Sequence, residues 1–149
     1  MGRTAVACVL VPLACIFAGC GGRTPPTEAC IQAQAADVLQ ALTRAPGHVV
    51  LADGTPLSQC VRRTIDDSRL QTLGATLTRA ADELARQMRA SDAAALQLGF
   101  LIGAVDRGAA QAAGLQDELA HRIAGAAGPD GGPRRALLLR GRAAGRRHG

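Results

Sequence analysis

The chain has 149 residues, with 17 arginines, no lysine, tryptophan or tyrosine, and two phenylalanines, of which Phe17 lies in an N-terminal apolar run. With Phe100 the one ring left to the body, sites built on ring stacking are excluded, both single-strand nucleic-acid platforms and carbohydrate clefts, and the core must be made of Ala, Leu, Ile and Val. The net charge of +5 sits at the C-terminal end, since Cys20 to Ala127 carries ten Arg against eleven carboxylates while Gly128 to Gly149 carries six Arg against Asp130, so the basic balance gives no support to nucleic-acid binding by the body.

The first element in chain order is an export signal. Arg3 supplies a positive start, Ala5 to Ala18 is uncharged and apolar, and the small pair Ala18-Gly19 leads into Cys20. The apolar run is shorter than the roughly 20 residues a membrane-spanning helix needs, which favours a cleaved signal over an uncleaved anchor. Phe17-Ala18-Gly19-Cys20 resembles the lipobox of bacterial lipoproteins, with Phe17 where Leu is usual. The resemblance implies cleavage after Gly19 and palmitate-type lipid on Cys20. It also implies a protein held in the cell membrane or outer membrane, facing away from the cytoplasm. A plain secretory signal cut at an A-x-A-like site is the alternative. The resulting division is a signal peptide over 1–19, a lipidated tether over 20–27, a helical domain over 28–127 and a tail over 128–149.

Of five cysteines, Cys8 and Cys15 leave with the signal and Cys20 takes lipid, so Cys30 and Cys60 remain as an even pair in an oxidising compartment. A disulfide between them closes a loop worth about 3.5 kcal/mol in the chain-entropy picture. There is no C-x-x-C, and neither cysteine has a metal-ligand spacing to a histidine.

Gly21 to Thr27 is Gly- and Pro-rich and reads as a flexible tether. Thr27 reads as an N-cap, and Ile31, Ala35, Val38, Leu39 and Leu42 recur at helical spacing up to Pro46-Gly47, which places a first helix near 28–45. His48 to Leu51 followed by Asp53-Gly54 allows a small hairpin. An isolated ribbon is marginal, so the preferred reading is a loop and a short helix with Thr55 as cap, Pro56 at the first position, and Leu57, Cys60 and Val61 facing inward.

Asp66, Asp67 and Ser68 open a helix near 68–90, with a stripe of Leu70, Leu73, Leu77, Ala80, Leu84 and Met88. Arg79–Glu83 and Asp82–Arg86 are spaced to pair on its outer face. Ser91 or Asp92 caps the next helix, whose segment Ala93 to Val105 has Gln97 as its one polar side chain and reads as the buried centre of a bundle. Within it Ala95, Gly99 and Gly103 fall four apart and form a smooth groove for close helix packing, or for an apolar ligand or partner helix. A kink near Gly114 and a last helix near 115–126 complete the body, with Glu118 and Arg122 spaced to pair. Gly128-Pro-Asp-Gly-Gly-Pro133 ends the fold, and the remainder is expected to be disordered apart from the apolar island Leu137 to Leu139.

No motif for catalysis is present: there is no H-E-x-x-H, G-x-S-x-G, Walker-type loop or G-x-G-x-x-G. Asp66-Asp67, Asp82-Glu83 and Asp117-Glu118 are adjacent pairs, and adjacent helical residues do not face each other. His48, His121 and His148 share no motif spacing. The tail arginines Arg134, Arg135, Arg140, Arg142, Arg146 and Arg147 have two readings. One is an unstructured end in a GC-rich coding frame. The other is a contact for anionic lipid or envelope polymer, at about 1 kcal/mol per basic residue near an anionic membrane.

The expectation is thus an all-α protein, a small bundle of three to four helices with one disulfide, a flexible tether and a disordered tail. It carries no cofactor or metal, and works as a non-enzymatic envelope interaction or structural module, anchored by lipid and meeting an envelope protein. A binding protein for a small apolar ligand or lipid, and an enzyme with an unrecognised site, are the alternatives. The helical body, above all Ala95 to Val105, resembles proteins of GC-rich bacteria, a likeness that carries no function.

Overall fold

A computed structural model describes residues 25–110, 112, 114–128 and 132–149. The segment expected to be a signal peptide and Cys20, the expected lipidation point, lie outside the described residues. The protein is mostly helical and, among the described residues, forms seven α-helices and no strand: α1 (Glu28–Gln32), α2 (Ala35–Leu42), α3 (Leu57–Arg63), α4 (Asp67–Gln87), α5 (Asp92–Ala109), α6 (Leu115–Gly125) and α7 (Arg135–His148). A 3-10 turn, Gly132–Arg134, leads into α7.

The helix count exceeds the expected three to four for specific reasons. The first predicted helix is broken in two. Gln34 takes an extended backbone and forms a capping box with Asp37, whose carboxylate accepts from the Gln34 backbone N–H at 2.9 Å. The Ala33 carbonyl freed at the break accepts from Thr76 Oγ1 of α4 at 3.3 Å. Thr27 does not cap α1 with its side chain; its hydroxyl lies 3.2 Å from that of Thr55 and donates to Cys30 Sγ.

The hairpin reading reduces to one antiparallel bridge, Val50 with Pro56, closed by a tight turn in which Leu51 N–H donates to the Thr55 carbonyl. Gly54, at φ 82°, supplies the left-handed residue this turn needs, and Asp53 accepts from the Thr55 N–H at 2.9 Å. Pro56, not Thr55, occupies the cap position of α3. Leu57, Cys60 and Val61 face inward, and Cys60 bonds Cys30 of α1, both sulfurs being buried.

Asp66 caps α4 by accepting from the Arg69 N–H, and Ser91 caps α5 by accepting from the Ala94 N–H. On α4, Glu83 pairs with Arg86 and accepts from Gln87, in place of the two pairs expected from four-residue spacing. Helix α5 runs past Val105 to Ala109. At Gly108 a side chain would stand 2.7 Å from the Ser58 carbonyl and Val61 Cβ, so the glycine lets α3 cross closely. Helix α5 is the axis of the fold: α3, α4, α6 and α7 all pack on it, and Leu98, Phe100, Leu101, Ala104 and Val105 are fully buried. Gln116, at the start of α6, donates to the carbonyls of Val61 and Thr64 and ties α6 to the end of α3.

The expected disordered tail is corrected. Residues 135–148 form α7, and Leu138, Gly141, Ala144 and Gly145 are buried along one of its faces. No described helix is long and apolar enough to cross a membrane.

Candidate functional site

The groove of α5 is occupied by the chain's own C-terminal helix. An added Cβ on Gly99 would stand 2.0 Å from the Leu138 carbonyl oxygen, and one on Gly103 would stand 2.1 Å from that of Arg142. The relation is reciprocal. A Cβ on Gly141 would meet the Leu96 carbonyl at 2.1 Å, and one on Gly145 the Phe100 carbonyl at 2.1 Å. Partner numbers rise together along both helices, so α5 and α7 run parallel, backbone against backbone, with α6 as the crossover. Such closeness brings carbonyls within reach of glycine Cα–H groups, a weak hydrogen bond familiar at helix interfaces. Ala95 is buried on the same helix. The sequence signal for α7 was Gly141 and Gly145, four apart like Gly99 and Gly103, with Leu138 three residues before the first.

Packing α7 this way divides the six tail arginines into two sets. Arg134 pairs with Asp92 at 2.6 Å and donates to the Arg89 carbonyl. Arg142 and Arg146 converge on Asp106 at 2.8 and 2.9 Å, and that carboxylate is largely shielded. These three fasten α7 to both ends of α5. Arg135, Arg140 and Arg147 are exposed and, among the described residues, lie within ion-pair distance of no carboxylate. Leu139 stands between them, 51% exposed. The outward face of α7 is therefore basic with one apolar residue in its middle.

A second feature lies where α3, α5 and the end of α7 meet. A cleft of about 220 Å³ is lined by Arg62, Arg107, Arg147, His48 and His148, with Ser58 and Gln59 in its wall. Among the described residues, no Asp or Glu side chain lines it. Arg107 is held in place by donating to the carbonyls of Arg147 at 2.7 Å and Gly149 at 3.3 Å, and Ser58 Oγ also donates to Gly149. Sequence reasoning placed Arg147 in a free tail and saw no relation among His48, Arg62 and Arg107, because nothing in their spacing announces that α7 returns to α3.

A further cleft of about 230 Å³ between α5, α6 and α7 holds Asp106, Asp117, His121 and Arg142. Asp106 is already engaged by two guanidiniums. His121 is pushed above its ordinary range, first by donating to the Asp117 carbonyl and then by the Asp117 carboxylate 3.6 Å away. Both side chains of that pair are exposed. Among the described residues, no group of three or more His, Cys, Asp or Glu is arranged to hold a metal ion. Asp66 and Asp67, and likewise Asp117 and Glu118, lie exposed at the starts of their helices. Asp66 is lowered by the N–H of Arg69 that it caps, the signature of a helix cap and not of an acid–base pair. No family model matches this chain, and no curated protein or solved structure does either.

Proposed function

We propose that this chain is an exported, lipid-anchored envelope protein that acts by binding and not by catalysis, and that α7 is the surface it offers. Cys20 carries the lipid, the tether leaves the body at Thr27, and the basic face of α7 meets an anionic envelope partner. The observation that carries the reading is the arrangement of α7: Arg134, Arg142 and Arg146 fix the helix, while Arg135 and Arg140 are exposed with Leu139 between them and Arg147 is exposed at the far end, beside the cleft. Clustered basic side chains around an apolar one suit an anionic lipid or polymer surface. The buried Cys30–Cys60 bond is consistent with an oxidising compartment. The alternative of an apolar ligand in the α5 groove loses its location, because α7 fills it.

The test is fractionation in the native host. Wild-type protein is expected with the membranes, and Cys20→Ser is expected to appear in the soluble extracytoplasmic fraction with its disulfide intact. Membrane association unaffected by Cys20→Ser, or a wild-type protein confined to the cytosol, overturns the reading.

A further inference from the structure

We propose that the cleft between α3, α5 and the end of α7 is a binding site for a phosphate-class oxyanion, with Arg62, Arg107 and Arg147 as its principal ligands and His48 and His148 at its rim. This goes beyond the function proposed above and stands without the lipid anchor. Three guanidiniums and two imidazoles from α3, α5, α7 and the loop after α2 line one cavity, and among the described residues no Asp or Glu side chain offsets them. A cleft lined by one sign of charge focuses its field and concentrates counter-ions. A neighbouring pair of arginines on α7 is neutralised differently: Arg142 and Arg146 share Asp106. Counted as a terminal carboxylate, Gly149 offsets one of the three guanidiniums and is already engaged by Ser58 and Arg107, so the wall keeps a net positive charge.

The donors are also available. Arg107 is oriented by the carbonyls that its Nη1 engages, leaving Nε and Nη2 to act on a ligand. Among the described residues, the side-chain nitrogens of Arg62 and Arg147 meet no protein acceptor. The Gly149 oxygen in the wall already accepts from Ser58 and Arg107. Planar guanidinium forks match the oxygens of phosphate two at a time.

Size sets the class of ligand. At about 220 Å³ the cleft falls below the roughly 300–1,000 Å³ of sites that enclose a whole metabolite, so it suits one phosphate group. That group comes from a soluble phosphate compound or from a lipid headgroup. The fold makes the second source geometrically accessible. Thr27, where the tether joins the body, lies against Thr55, and the next residue, Pro56, is part of the cleft wall.

The experiment is calorimetric titration of the folded full chain with inorganic phosphate at low ionic strength, followed by binding to phosphatidylcholine vesicles with and without phosphatidylglycerol. Arg62→Gln/Arg147→Gln removes two exposed ligands that make no internal hydrogen bond, so the thermal midpoint is expected to hold. Arg135→Gln/Arg140→Gln removes the same charge from the outer face of α7 and serves as control. Phosphate is expected to bind saturably and to weaken about tenfold or more in the cleft variant, with the control unchanged. Absence of saturable phosphate binding by the wild type, or an equal loss in both variants, overturns the proposal. Given saturable phosphate binding, loss of phosphatidylglycerol vesicle binding in the cleft variant alone assigns the group to a headgroup. Vesicle binding indifferent to the cleft variant assigns it to a soluble compound. Neither arm depends on Cys20, so failure of the anchor reading is separately visible in the fractionation.

Discussion

Gly99→Ala tests the α5–α7 contact most sharply. The new Cβ would stand 2.0 Å from the Leu138 carbonyl oxygen, where ordinary contact begins at 3.4 Å, so the helices must part by about 1.4 Å. The obstacle is backbone on a parallel helix, and no side-chain rotation relieves it. A gap of about 0.5–1 Å already forfeits a quarter to a half of a dispersion well, and the separation is felt along the whole seam from Leu138 to Gly145. Overpacking of this kind costs about 1–3 kcal/mol or somewhat more, against a helix-propensity gain of about 1 kcal/mol for replacing glycine with alanine. A clash with backbone places the cost at the upper end of that range, so the net expectation is destabilisation by roughly 2 kcal/mol, read by urea unfolding followed by circular dichroism. Gly125→Ala is the internal control. It lies at the end of α6 with nothing within 4 Å of the new Cβ, so it is expected to be neutral or to stabilise by up to about 1 kcal/mol. Gly99→Ala behaving like Gly125→Ala would refute the close parallel packing.

The remaining predictions concern the disulfide, the ion pairs and one histidine. Replacing Cys30 and Cys60 together by Ser is expected to lower stability by about 3.5 kcal/mol, less any structure retained by the reduced unfolded chain; a change within about 0.5 kcal/mol in urea unfolding would contradict it. Asp106→Asn leaves Arg142 and Arg146 without their counter-charge, and because both arginines are partly exposed the cost is set at about 1 kcal/mol; faster amide exchange in α7 is expected, and unchanged exchange would refute the anchoring role. His121 is expected to titrate by NMR above the usual imidazole value of 6.5. Because its folded value is raised, its contribution to stability is fully present below the unfolded value and is lost as pH rises through the folded one. Asp117→Asn should bring the midpoint partly back, since the Asp117 carbonyl remains; a wild-type midpoint at or below the usual value would contradict the pairing.

Local signals read well where they were strong and self-contained. The leucine stripe of α4, the Ser91 cap of α5 and the Cys30–Cys60 pairing each rest on neighbours in sequence or on elimination among few cysteines. The first helix failed at Gln34, because a glutamine paired with Asp37 is a less usual capping box than one led by serine or threonine. Helix α7 failed for a different reason. Gly141 and Gly145 interrupt a run of good helix formers and lower its propensity, and its stability comes from a groove on another helix. The spacing of Gly99 and Gly103 reads first as a groove for close helix packing, but nothing local in the sequence marks Gly141 and Gly145, for all their matching spacing, as the helix that fills it. The basic cleft depends on the same return of α7 and was invisible for the same reason.

The measurement that bears most directly on the account is the intact mass of the protein taken from its host's membrane fraction, with and without reductant. The account predicts a chain that begins at lipid-modified Cys20 and that gains the mass of two hydrogens on reduction, from the Cys30–Cys60 bond. A full-length, unmodified and reduced chain in the soluble fraction would contradict it.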